Sequence, residues 1–222
     1  EQQAAYQPRV LGTVAFGGKF WGMPHAFSTQ AMFINKGMLK AAGLSGEAPT
    51  TWDELYDTAK AVRDNLGVAG IGLPGKDFDN TMHQWLNYLY TNGGSVIDND
   101  TNTITLNSSN AVETLTFYGK LKDVAQKNPL AWERSQLTEL FNDEKIAMKI
   151  DGPWMRDQIK EGIEWEAARL PVGPRGQAGT LMITDSLAVF NGTGHEDLAT
   201  ELGRMLTTGD NQYSLDTDWG LL

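Results

Sequence analysis

The residues best suited to chemistry in this sequence are aromatic and polar rather than nucleophilic. Asp151-Gly152-Pro153-Trp154 follows directly on an apolar run that ends at Ile150. Gly and Pro there make a sharp turn that presents an indole at the start of a helix. An indole so placed has two readings: a flat, rigid face for the C–H side of a sugar ring, or a cap on the core. Asn80, Thr81, His83 and Gln84 cluster at another helix start, where short polar groups either bond ligand hydroxyls or cap and solvate the helix. Trp85 lies on that helix's apolar stripe and reads as core. His25, Phe27, Ser28, Thr29 and Gln30 form a third group. Thr184, Asp185 and Ser186 form a fourth, inside an otherwise apolar strand. Polar groups there are costly unless paired, so they mark either a buried network or a site.

Nucleophilic and metal chemistry find little support. The chain has no Cys, so it has no thiolate, disulfide or Cys-ligated metal. His25, His83 and His195 show no metal-ligand spacing, and no GxSxG, HExxH, Walker loop or framed GxGxxG occurs. Nothing calls for a metal or a cofactor. Acidic residues are plentiful, so counting alone leaves a glycosidase-type carboxylate pair open. A net charge of −10 over 222 residues argues against nucleic acid and anionic membranes as partners. No stretch approaches the length of a membrane span. The chain opens on Glu1-Gln2-Gln3 with no Met and no basic-then-apolar leader, and reads as mature, processed or truncated.

The elements that must position these groups alternate between strand and helix. A glycine hairpin is predicted around Gly17-Gly18 and a buried strand over 30–34. Asn35 opens a short helix that Gly43 ends. Thr51-Trp-Asp-Glu54 is a capping box, with Trp52, Leu55, Ala59 and Val62 on one face and Gly67 as the stop. A strand over 68–73 leads to a helix carrying Met82, Trp85, Leu86 and Leu89, which Asn92-Gly93-Gly94 stops. A hairpin over 95–106 follows. Ser108 or Ser109 then caps a helix bearing Val112, Leu115, Leu121 and Val124, and Ser135 can cap another with Leu137, Leu140 and Phe141 inward. Residues 145–150 alternate with period two, as a strand does. Strands over 164–170 and 181–190 flank a Pro/Gly-rich connector. A last helix over 195–208 places Leu198, Leu202, Met205 and Leu206 inward. This alternation predicts an α/β fold with a mostly parallel sheet flanked by helices.

Several motifs in order carry a resemblance. Trp21-Gly-Met-Pro24, Ser28-Thr29 and Phe33-Ile-Asn35-Lys36 resemble the signature of family 1 extracellular solute-binding proteins, the maltose-binding-protein-like sugar receptors of ABC importers. Ala42-Gly43-Leu44 with Pro49-Thr-Thr-Trp-Asp-Glu-Leu55 is similar to a further family motif. So are Gly93-Gly94 and the run from Phe141 through Ala147-Met148 to Gly152-Pro153-Trp154. Glu144 departs from the pattern, which has Gly there.

The resemblance implies a periplasmic-binding-protein-like (type II) receptor of two lobes that close on a carbohydrate and deliver it to ABC permease subunits. It implies binding without catalysis, and a periplasmic or extracellular location in a bacterium, associated with the membrane through the transporter. Residues 25–173 would form the C-terminal lobe, while 1–24 and 174–222 would belong to the other lobe. Most of that lobe, and a tail after Trp219-Gly-Leu-Leu222, would be missing. The last segment is therefore expected to pack abnormally, to swap or self-associate with a second copy, or to need an interface. Trp154 would stack on the sugar, and Ser28, Thr29, Asn80, His83, Gln84, Thr184 and Asp185 would read its hydroxyls. A carbohydrate-active hydrolase and a non-binding structural fragment are the alternatives.

Overall fold

A computed structural model describes Ala4 and residues 6–219, and the side chains to residue 217. The Glu1-Gln2-Gln3 opening and the end of the Trp219–Leu222 run lie outside the described residues. Along the chain run α1 (Pro8–Gly12), β1 (Ala15–Phe16), β2 (Lys19–Phe20), β3 (Met23–Thr29), β4 (Ala31–Asn35) and α2 (Lys36–Ala41). Next come α3 (Trp52–Leu66), β5 (Ala69–Ile71), α4 (Asp79–Thr91), β6 (Ile97–Asp98), β7 (Thr103–Ile104) and α5 (Ser109–Leu121). The rest are α6 (Gln136–Asn142), β8 (Ile146–Asp151), α7 (Met155–Gln158), β9 (Trp165–Ala168), β10 (Met182–Leu187), α8 (Glu196–Leu206) and α9 (Gly209–Trp219). They divide into two compact units: residues 30–181, and residues 1–29 with 182–222.

The 30–181 unit is built on a four-stranded sheet in the order β5-β8-β4-β9. The α/β class is as predicted, but the sheet is mixed rather than mostly parallel. Only β5 and β8 form a parallel ladder; β4 is antiparallel to both β8 and β9. β5, β8 and β9 therefore run in one direction, and β4 runs against them from its place between β8 and β9.

Local chemistry sets the helices. The Asn35 carboxamide accepts the Met38 N–H to start α2, and Thr51 with Glu54 forms the predicted capping box on α3. Gly67, at φ +71°, ends α3 in the left-handed conformation that glycine adopts without penalty. One core cluster packs Trp52, Leu55, Tyr88, Phe117 and Leu121 with Met32 and Ile34 of β4. Trp52 stacks on Phe117 with centroids 4.3 Å apart. Phe33 joins a second cluster with Leu137, Phe141, Ile146 and Met155, because successive strand residues face opposite ways. Apolar layers thus cover both faces, and all six residues of β8 are buried. The period-two pattern over 145–150 therefore does not separate core from water.

Two further details concern the helices. On α5 the buried residues are Ala111, Thr114, Phe117 and Leu121, while Val112 and Leu115 face solvent. Small residues at 111 and 114 are what turns towards α4, and Thr114 satisfies its hydroxyl on the Asn110 carbonyl. Ser135 makes no capping bond to α6.

The other unit holds the predicted hairpin, with Gly17 and Gly18 both at positive φ, and an antiparallel β3/β10 ribbon. Here α8 reverses its predicted orientation. Leu198, Leu202 and Met205 are more than half exposed and Leu206 is 36% exposed. The helix instead turns Gly203 inward, where an added Cβ would lie 2.2 Å from Met23 Cε. The Met23 side chain occupies the space left by the missing Cβ at 203, and the leucines face outward. Among the described residues no helix is long and apolar enough to cross a membrane.

Candidate ligand-binding site

The carboxyl end of β8 carries the most elaborated polar cluster. Asp151 Oδ1 accepts from the Gly152 amide at 2.8 Å and from the Trp154 indole Nε1 at 3.0 Å. Its Oδ2 lies 2.7 Å from Lys149 Nζ, and both side chains are at most 1% exposed. Lys149 also donates to Thr138 Oγ1 at 2.8 Å and to the Arg134 carbonyl at 3.2 Å. Arg134 Nε stands 3.2 Å from Asp151 Oδ1, too poorly aligned for a hydrogen bond, and its guanidinium lies 4.7 Å from the centroid of the Trp154 ring. Burial lowers the Lys149 pKa; Asp151 opposes that shift and Arg134 adds to it. Removing one partner of such a buried pair costs about 3–5 kcal/mol, since it strands the other charge.

Trp154 is half-buried, neither sealed in the core nor free. It lies over Gly152, where a Cβ would approach the indole to 2.2 Å, so glycine there lets the ring rest on the backbone. The short turn, the carboxylate at the indole N–H and the guanidinium over the ring together fix its plane.

The helix-start cluster divides. Asn80 and His83 are half-buried in the first turns of α4, and His83 Nδ1 is buried without a partner. Gln84 points into the unit rather than to solvent. It is 2% exposed and donates to the Ile150 carbonyl at 3.1 Å. One turn on, Asn87 donates to Gln30 Oε1 and accepts the Leu181 amide at 2.9 Å. Gln30 and Thr180 are bonded reciprocally, from the Gln30 amide at 3.0 Å and to the Gln30 carbonyl at 2.8 Å. The inward face of α4 thereby clamps both ends of the 30–181 unit. A polar face beside the apolar stripe was the sequence signal for it.

The remaining candidates share the β3/β10 ribbon. Ser28 pairs with Ile183, Thr29 with Met182, Phe27 with Thr184 and Ala26 with Asp185. Strand alternation puts Ser28 and Asp185 on one face and Thr29 and Thr184 on the other, so the ribbon cannot offer all four to one ligand. Ser28 is buried, Thr29 and Asp185 are exposed, and Thr184 Oγ1 is buried without a partner. An apolar cleft of about 930 Å³ in this unit is lined by Val10, Trp21, His25, Phe27 and Arg204 among others, and by none of these four. Among the described residues no group of three or more His, Asp or Glu is arranged to hold a metal ion.

The sequence profile of the bacterial extracellular solute-binding proteins matches residues 2–213. The chain belongs to that family. A Brucella abortus (strain 2308) member, whose name specifies no ligand, is 31% identical over 218 residues, 96% of this chain and 52% of that protein. A galactooligosaccharide-binding protein of Bacillus subtilis (strain 168) is 26% identical over 94% of this chain and 50% of its own. The chain thus spans about half the length of the curated family members it matches. Among solved structures, the T. maritima MalE3 protein with maltose bound superposes with a TM-score of 0.85 at 21% identity, over 99% of this chain and 58% of that one. An ABC transporter solute-binding protein from Thermotoga lettingae TMO, bound with alpha-D-tagatose, gives 0.86 at 24%, over 99% and 58%. At such identities the likeness shows the shared fold.

The family departure at Glu144 has a conformational meaning. Glu144 sits at φ +54°, where glycine is favoured, and its carboxylate takes a long 3.4 Å bond from Asn35 Nδ2. Sequence reasoning missed Lys149 and Arg134. A Lys two residues before an Asp on an apolar strand was a legible signal, because positions i and i+2 share a strand face. Arg134, in a loop, left none.

Proposed function

We propose that this chain is part of a carbohydrate receptor that serves an ABC importer, binding sugar without breaking bonds. The observation that carries this reading is the half-buried Trp154, set on a braced turn at the carboxyl end of a sheet strand. A fixed indole offers an apolar plane to the C–H face of a pyranose. Names and titles of family members and fold neighbours, among them galactooligosaccharide-binding, arabinooligosaccharide-binding and maltose-bound proteins, support the ligand class. Asn80 and His83 would bond hydroxyls beside the ring, with Ser28, Thr29, Thr184 and Asp185 as the candidates on the ribbon. Gln84 would hold α4 rather than touch ligand. Residues 25–173 would be the C-terminal lobe, with 1–24 and 174–222 belonging to the other. The setting would be outside the cytoplasmic membrane of a bacterium, with permease subunits as partners. The bare leucines of α8 would make the isolated chain self-associate.

Calorimetric titration with maltose, galactooligosaccharides and arabinooligosaccharides tests this reading. A full-length counterpart should bind one of them, this chain should bind it more weakly, and Trp154→Ala should abolish binding in both. Unaltered affinity in Trp154→Ala would remove the site, and turnover of chromogenic glycosides would make the protein a hydrolase. A monodisperse monomer on sizing, with α8 protected from exchange, would remove the self-association.

A further inference from the structure

We propose that Asp151, with Arg134 as its second arm, is a positioning residue for Trp154, and that Lys149 keeps that carboxylate aimed. This rests on reading Trp154 as the ligand-stacking plate. Three constraints act on one indole: its N–H is bonded to Asp151 Oδ1 at 3.0 Å, the Arg134 guanidinium lies over its ring at 4.7 Å, and its edge rests on Gly152. The carboxylate itself cannot swing, because its other oxygen is 2.7 Å from an ammonium that is also tied to Thr138 and the Arg134 backbone. A side chain pinned at its polar edge and one face loses little freedom when a ligand arrives, and preorganisation of that kind raises affinity without adding a ligand contact. Among the described residues, Asp151 is the only carboxylate within ion-pairing distance of either cation. One acidic group therefore sets the plane of the plate and pairs with both cations.

The test uses the whole chain labelled with 5-fluorotryptophan and reads the fluorine spectrum without sugar. Trp154→Phe assigns the resonance. In the parent protein Trp154 should give one narrow line. Arg134→Met should shift and broaden it, while Trp132 and Trp165, which pack in the neighbouring core cluster, stay in place. Because Asp151→Ala strands a buried lysine and risks the fold, two compensated variants carry the argument. Lys149→Met with Asp151→Asn keeps an acceptor for the indole N–H and should keep the line narrow. Lys149→Met with Asp151→Leu removes the acceptor and should lose the narrow line. Equal Trp154 lines in these two variants, or an unmoved line in Arg134→Met, would overturn the assignment. Since neither arm contains ligand, a failed sugar titration leaves this result standing and removes only the stacking reading. A maltose-induced shift of the Trp154 line in the parent protein, lost in Lys149→Met with Asp151→Leu, connects the two.

Discussion

Replacing Asn87 by alanine tests the clamp at the root of the 30–181 unit. Asn87 Oδ1 accepts the Leu181 amide at 2.9 Å, and its Nδ2 donates to Gln30 Oε1 and to the His83 carbonyl. The His83 carbonyl is a helix acceptor already, so its loss matters little. The other two bonds contribute about 1 kcal/mol each, and the Leu181 N–H left without an acceptor adds about 1 kcal/mol or more. Asn87→Ala should therefore lower stability by about 3 kcal/mol. Urea unfolding measures the total. Amide hydrogen exchange localises it: Leu181 should exchange at least about tenfold faster, since each 1.4 kcal/mol is a factor of ten. The Gln30 amide, held by Thr180 on the adjoining segment, should loosen with it. Asn87→Asp should also destabilise, because it keeps the acceptor for Leu181 but turns a carboxylate oxygen towards Gln30 Oε1. A loss under about 0.5 kcal/mol in Asn87→Ala, with exchange unchanged at both amides, would refute the clamp.

Four further outcomes follow from the geometry. Glu144→Gly should stabilise the chain by about 1 kcal/mol in urea titration, since an L residue in the left-handed region costs about 1–2 kcal/mol and the added flexibility of glycine returns part of that. Lys149 has a folded pKa below 10.5, so the unfolded chain holds more protons between the two values; stability should rise with pH through that window, and Lys149→Met with Asp151→Asn should flatten the slope. Thr51→Ala should cost about 1 kcal/mol, seen as a lower urea midpoint. The Glu54 pKa is depressed first by the Thr50 hydroxyl and then by the Thr50 and Thr51 amides; its contribution is whole above about 4.5 and lost as pH falls through the folded value, so acid titration of Glu54→Gln should lack that phase.

What the sequence revealed follows from where each signal is stored. Thr51 with Glu54, Gly67, Asn35 and Gly17-Gly18 act through bonds and dihedrals a few residues long, and each does in the structure what its residue type implies. Burial direction is stored in packing partners instead. Val112 and Leu115 gave a better stripe than Ala111 and Thr114, yet closeness to α4 selects the small residues. Leu198 and Leu202 read as inward, but it is Gly203 that packs against the Met23 side chain. At the candidate site, Trp154 and its turn were visible in four consecutive residues. Arg134 and Thr138 were not, because they reach β8 only through the tertiary fold. Gln84 is similar: its bonds to Ile150 and Gln30 span more than fifty residues and leave no mark at the helix start.

The sealed ammonium of Lys149 has a practical consequence for reagents that acylate amines. Lysines such as Lys122 and Lys127 are open to solvent and would react at once. Lys149 is fully enclosed, so it can be acylated only when its packing on β8, including the Arg134 and Thr138 contacts, opens. Its labelling rate, read on a single peptide by mass spectrometry, would time those openings at the very strand that leads into the Trp154 turn, with no probe added to the protein.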